Sequence, residues 1–152
     1  MQIRANIHEK YNETELHVCK DRMDDEVRRL MDELHAMYDP AINGTDEVGN
    51  RCVIRPAEII TFYAEKQRVI ALDASKKYTI PKTLVELEQE LHDYGFFRIS
   101  KSELVNLHRI RSLDLSVTGT IRVIMKNGYE TYASRRNVSR LKEQLAGKKI
   151  GG

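Results

Sequence analysis

Cysteine occurs only twice, at Cys19 and Cys52, and no C-x-x-C spacing is present. Two distant thiols argue against a disulfide framework and suit a reduced cytoplasm. No apolar run approaches the roughly 18 residues needed to cross a bilayer. The opening residues, MQIRANIHEK, place no apolar stretch behind a basic start, so no secretory signal is expected. The chain also lacks low-complexity tracts and the motifs of common enzymes: there is no GxSxG, HExxH, GxGxxG or Walker loop. His8, His17, His35, His92 and His108 fall on different expected elements. His17 and Cys19 stand two apart, yet nothing nearby completes a zinc set. Glu86, Glu88 and Glu90 diverge on an expected helix and suit a solvated face, not an acid/base pair. Neither catalysis nor a metal or cofactor is expected.

What is present is an uneven charge. The chain has 152 residues, 41% of them apolar, and a formal net charge of only +2. Residues 1–50 carry a net −6, residues 51–95 balance, and residues 96–152 carry +8. Between 96 and 142 stand ten basic side chains (Arg98, Lys101, Arg109, Arg111, Arg122, Lys126, Arg135, Arg136, Arg140, Lys142) against Glu103, Asp114 and Glu130. A concentrated basic face suits a phosphate backbone, while the acidic front does not.

The local patterns predict an α+β, mostly β protein. Residues 2–7 (QIRANI) and 14–19 (TELHVC) alternate, predicting a hairpin joined across residues 8–13. Residues 21–38 then repeat Met23, Val27, Leu30, Met31, Leu34 and Met37 at helical spacing, with Asp24, Asp25 and Glu26 loading the front turn. A small β-β-α unit over 1–40 is expected. Residues 41–50, rich in turn formers, look like a linker. From Arg51 onward strands are expected near 53, 58–64, 68–72, 77–80, 96–99, 109–117, 120–125 and 129–133. Asn127-Gly128 is a two-residue hairpin signal. A short helix over 83–91 has Thr83 to cap it and Gly95 to end it. Residues 100–105 read as a turn or a single helical turn. Asn137 or Ser139 opens a last helix, and residues 147–152 are expected to be a flexible tail.

Three short polar connections then stand out: 64–68, 100–102 and 134–137. Arginine can bind guanine bidentately, and Gln67 can do the same to adenine. Ser100, Ser102 and Ser134 hydroxyls suit phosphate oxygens. Ser134 and Asn137 equally suit helix capping. Arg98 reads better as a structural hydrogen bond or salt bridge beneath its loop. Arg135 and Arg136 are adjacent, so their side chains diverge and at least one is wet.

The segments FFRISKSELVNLHRI, SLDLSVTGTIRVIMKNG and YASRRNVSRLKEQL resemble the LytTR DNA-binding domain of bacterial transcription regulators, over about 51–146. That resemblance implies an elongated, mostly β domain that places connecting loops into successive major grooves of bent double-stranded DNA, often as pairs on direct repeats. Carried over by position, the contacting residues are Gln67, Arg68, Ser100, Lys101, Arg135 and Arg136. Many relatives have Asn where this chain has Lys101, which changes the hydrogen bonding available there, and relatives can carry a basic side chain in place of Gln67. The front is too short for a receiver domain, and Asp24 and Asp25 fall at a helix start. It is similar to the stand-alone regulators, which implies a homodimer and control by a membrane protein encoded nearby. Residues 1–40 are expected to dimerise or to hold the regulatory partner, either against a second copy or against their own domain. The expected function is a sequence-specific DNA-binding transcription regulator. The competing expectation is a protein-interaction module whose basic face docks an acidic partner.

Overall fold

The computed structural model describes residues 1–12, 14–116 and 119–147. The expected turn at Thr118 and the expected tail from 148 to 152 lie outside the described residues. The chain divides into two units, Met1–Asp39 and Pro40–Gly152.

The described residues of the first unit form one regular element, α1 (Asp25–Tyr38). The Asp24 carboxylate caps it, accepting from the Val27 amide at 3.0 Å. Lys20 pairs with both Asp24 and Glu26 at 2.5 Å. The helix therefore begins four residues later than the periodicity predicts, because Asp24 serves as its cap and not as part of its first turn. The expected hairpin is corrected: the described residues before α1 form no strand. Ile3 is 90% exposed and Ile7 93%. A lone two-stranded ribbon with no apolar cover has little to hold its pairing.

The second unit begins where a linker was expected. Ile42–Asp46 is a strand, β1, which pairs with β2 (Arg51–Ile54) through a turn closed by Asp46. The Asp46 carboxylate accepts from the Val48 and Asn50 amides. Turn formers dominate this stretch, yet Ile42 is buried and Gly44 permits close packing. A Cβ on Gly44 would lie 2.6 Å from Ile54 Cδ1 and 2.9 Å from Ile80 Cδ1. Next come β3 (Thr61–Glu65), β4 (Arg68–Leu72), β5 (Lys77–Ile80) and α2 (Leu84–Glu90), capped by Thr83. Gly95 turns the chain in the left-handed region, at φ 85°, into β6 (Phe96–Ser100). The segment expected as a turn is corrected too. Only its start turns, and Glu103–Asn106 is a strand, β7, buried along its whole length. A strand covered on both faces shows no alternation, so periodicity misses it. β1 to β7 form one antiparallel sheet in the order β2-β1-β5-β4-β3-β7-β6.

A second sheet of three strands follows: β8 (Ile110–Asp114), β9 (Thr120–Met125) and β10 (Glu130–Ser134), in the order β10-β9-β8. The β9–β10 hairpin turns at Asn127-Gly128 as expected, but its connection has three residues, 126–128, and not two: the Met125 amide donates to the Tyr129 carbonyl and Gly128 turns at φ 90°. The last helix, α3 (Arg135–Gly147), starts immediately after β10, earlier than expected, and takes in Gly147.

Two cores result. Phe62, Leu87, Leu91, Phe96 and Leu104 gather beneath α2. Phe97, Ile99, Val105, Val123, Met125 and Leu141 gather between the β6–β7 hairpin, the second sheet and α3. Phe96 and Phe97, like Leu104 and Val105, send alternate side chains into different cores, so this hairpin is the wall common to both. Glu103 sits in the wall, 7% exposed. Thr61 of the first sheet donates to it at 2.8 Å, Tyr129 beside the second sheet donates at 2.9 Å, and the Thr131 hydroxyl donates to its other oxygen. Burial and the neighbouring carboxylate push the Tyr129 phenol well above its ordinary range, which keeps it a donor.

Replacing Glu103 with alanine strands the buried Thr131 hydroxyl and the half-buried Tyr129 phenol, while Thr61 keeps the Leu104 carbonyl at 3.0 Å, and Glu103→Ala is expected to cost about 3 kcal/mol. Glu103→Gln, which keeps one acceptor oxygen, is expected to cost less than half of that. Urea unfolding with an unchanged slope checks both; equal losses for the two variants would count against the hydroxyl network.

Candidate nucleic-acid interface

Antiparallel pairing decides which connections share an end of the large sheet. β3 ends at Glu65, opposite Arg68 of β4, and Tyr63 of β3 lies opposite Glu103 of β7. The β3–β4 turn and the β6–β7 turn therefore emerge side by side, and the Ala64 amide donates to the Ser102 carbonyl at 2.8 Å. The start of α3 is fastened to the same end: Asn137 Nδ2 donates to the Ile99 carbonyl at 2.7 Å. Ser134 Oγ accepts from the Asn137 amide at 3.4 Å, so Ser134 caps the helix while the Asn137 side chain bridges to β6.

The first turn is strained. Lys66 has φ 47° and Gln67 φ 65°, the paired left-handed conformation of a two-residue hairpin that Asn-Gly usually fills. At 127–128, where the chain does carry Asn-Gly, only Gly128 has a positive φ. Two long side chains at positive φ cost roughly 1 kcal/mol each, and such strain concentrates at functional sites. Both side chains are exposed, as is Arg68.

The second turn is supported from below. Arg98 Nε donates to the Ser100 carbonyl at 2.9 Å, Nη2 donates to the Lys101 carbonyl at 2.5 Å, and Nη1 donates to Glu88 of α2 at 3.1 Å. The structural role expected of Arg98 is what these contacts describe. Above it Lys101 is exposed and Ser100 half-buried. Ser100 and Lys101 line a shallow depression with Asn137, Arg140 and Gln144 of α3. Gln67 and Arg68 line a neighbouring depression that reaches the start of α2, and Arg98 borders both.

Of the six residues singled out in the sequence, four border these depressions: Gln67, Arg68, Ser100 and Lys101. Arg135 and Arg136 occupy the first turn of α3, exposed, next to the Asn137 anchor, but outside both linings. The expected loop at 134–137 is absent, since strand passes directly into helix there. Arg140 was missed. It lies in the depression with its guanidinium 6.0 Å from the centre of the Phe97 ring. Its signal was the spacing of 137, 140 and 144, one polar stripe of a helix. Among the described residues no three His, Cys, Asp or Glu side chains group as a metal site, and no helix is long and apolar enough to cross a membrane.

An antiparallel β domain that gathers basic and amide side chains on adjoining turns offers a polar, positively charged surface suited to a nucleic acid. A model of the LytTr DNA-binding domain matches residues 49–146, and the chain belongs to that family. An uncharacterized HTH-type transcriptional regulator of Staphylococcus aureus strain MSSA476 is 30% identical over 154 residues, which is 96% of this chain and 99% of the relative. Another with the same description, from strain NCTC 8325, is 38% identical over 94 residues, 62% of this chain and 63% of the relative. The LytTr DNA-binding domain of a Bacillus cereus protein superposes with a TM-score of 0.63 at 19% identity, covering 69% of this chain and 95% of that one. Among the described residues no two α-helices are consecutive: five strands separate α1 from α2, and five separate α2 from α3.

Relaxing the strained turn is expected to stabilise the fold. The double change Lys66→Asn with Gln67→Gly should raise stability by roughly 1–2 kcal/mol. A higher urea midpoint at constant slope would show it; no change would mean that the positive φ values carry little strain.

Proposed function

We propose that the chain is a sequence-specific transcription regulator that reads double-stranded DNA with turns instead of a recognition helix. Gln67 and Arg68 enter one major-groove segment, and Ser100, Lys101, Arg135 and Arg136 serve the next. The observation that carries this is the convergence of the β3–β4 turn, the β6–β7 turn and the start of α3 at one end of the large sheet. Family membership makes residues 49–146 a DNA-binding domain, and the relatives' description as transcriptional regulators supports the wider role. The strained Lys66-Gln67 turn supports it as well, because the chain holds long polar side chains where glycine would relax the backbone. In this scheme Arg136 and Gln67 meet base edges, whereas Arg68 meets phosphate.

Residues 1–39 hold a second copy, so that two readers lie on a direct repeat. The support is the exposure of Ile3, Ile7, Leu16, Met23 and Met37 in this unit. The same segment answers to a regulating membrane protein encoded nearby. Residues 1–50, with a net −6, keep off the phosphates.

Selection of bound duplexes from a random pool tests the reading. It is expected to return two half-sites in direct repeat; a protein indifferent to duplex at low salt would instead favour docking of its basic face on an acidic protein. Arg136→Ala should weaken the selected site by about 1–3 kcal/mol and relax choice at one position. Arg68→Ala should weaken all sequences alike and reduce the salt slope by about one. The combined change Ile7→Asp and Leu16→Asp should convert a dimer to a monomer in sedimentation and leave single half-site binding intact. A wild-type protein that sediments as a monomer at micromolar concentration would remove the dimer from the scheme.

A further inference from the structure

Arg98 has a basic side chain at the centre of the candidate interface, yet its hydrogen-bonding groups are directed inward. Its side chain is 22% exposed. The guanidinium fork holds two backbone carbonyls of one turn, those of Ser100 and Lys101, and one carboxylate of a different element, Glu88. The sheet itself holds this turn weakly. The β6–β7 pairing slips between Arg98 and Ser100, leaving Ile99 outside the regular register. An irregularity of this kind re-aims the side chains that follow it. The hydrogen bonds from Arg98 span the slip and fix the two carbonyls on either side of Lys101 Cα.

We infer that Arg98 is a positioning residue for sequence selection: braced on Glu88, it sets the direction in which Lys101 leaves the protein, and so the base that Lys101 selects. This rests on the reading of the 100–102 turn as a DNA contact. A phosphate role for Arg98 fits less well, because Glu88 already balances its charge and each of its three nitrogens already donates within the fold. Lysine cannot substitute, since a single ammonium lacks the planar fork that reaches two carbonyls and a carboxylate together. Arg98 borders the depressions of both Gln67 and Lys101, so the brace also fixes the spacing between the two turns.

The test uses the full chain with Arg98→Lys, Glu88→Gln and Lys101→Ala, each put through duplex selection and through binding measured across a salt series. Lys101→Ala first identifies the base pair that the turn reads. Arg98→Lys is expected to reduce discrimination at that same base pair by tenfold or more, with the salt slope unchanged and with choice at the Arg136 position retained. Glu88→Gln, which leaves the fork in place but loosens its brace, is expected to give a smaller loss at the same base pair. Circular dichroism melting of each variant separates these effects from unfolding, and Glu88→Gln serves if Arg98→Lys does not fold. Discrimination within twofold of wild type in both variants would overturn the inference. So would a salt slope lowered by about one, which marks a phosphate contact, or equal relaxation at every position, which marks general structural damage. If the wild-type chain selects no sequence, the DNA reading of the turn fails first. If it selects one, and Lys101→Ala relaxes a position that Arg98→Lys leaves sharp, only the inference fails.

Discussion

A buried carboxylate shared by two sheets is the constraint on which this domain depends. Glu103 accepts hydroxyl hydrogen bonds from Thr61 of the large sheet and from Tyr129 and Thr131 of the β9–β10 hairpin, so the two sheets share it. Apolar contacts alone can let two sheets slide, because dispersion has little directionality. A carboxylate in a dry wall cannot slide without leaving its donors, since an unpaired buried polar group costs free energy. The network therefore fixes where the second sheet, and the helix that grows from its last strand, stand against the large sheet.

That fixed relation has a direct consequence at the surface. Glu103 lies two residues after Lys101, and α3 begins four residues after Thr131. The same hydroxyl network that joins the cores thus sets the 100–102 turn and the start of α3 at a defined separation. Asn137 completes the tie with its bond to the Ile99 carbonyl. The proposed interface, made of turns and a helix start, lacks the intrinsic stiffness of a recognition helix. Here the stiffness comes from beneath: Arg98 under one turn, Asn137 under the helix start, and a two-residue hairpin in the other turn. Preorganised polar groups lose less conformational entropy when they meet a partner.

Strain and charge distribution point the same way. The chain uses Asn127-Gly128 where a hairpin needs only to turn, and Lys66-Gln67 where it turns with side chains at positive φ. The second sheet handles its own charge internally. Arg122 bonds to Asp114 at 2.6 Å, and the Ser116 hydroxyl and amide together with Arg122 lower the Asp114 carboxyl to about 2. Not every basic residue of the 96–142 stretch is therefore available to a partner: Arg98 and Arg122 are engaged within the fold, and Arg109 donates to the Ala57 carbonyl.

Much of the local grammar was legible in the residues. Acidic residues marked the front of α1, Thr83 capped α2, and Asn127-Gly128 marked the β9–β10 turn, because caps and turns depend on neighbours a few positions away; Gly95, expected to end α2, closes instead the short 3-10 turn His92–Tyr94 that follows it. The segments that resemble the family, and the basic bias after residue 96, were equally plain. β1 and β7 were not. Ile42 sits among turn formers and gains its strand by pairing with Ile54 and, farther off, through Thr45 with Thr79. Glu103–Asn106 is covered on both faces, so it carries no alternation to read. The alternating residues near the N-terminus had the pattern of a hairpin but no apolar cover. The sequence by itself determined the chemistry on each turn: amide, lysine and arginine, with the acids kept elsewhere. Only the tertiary structure decided which turns stand together and which arginines face inward, because antiparallel register and a shared buried carboxylate relate residues far apart in the chain, and local pattern carries no record of that distance.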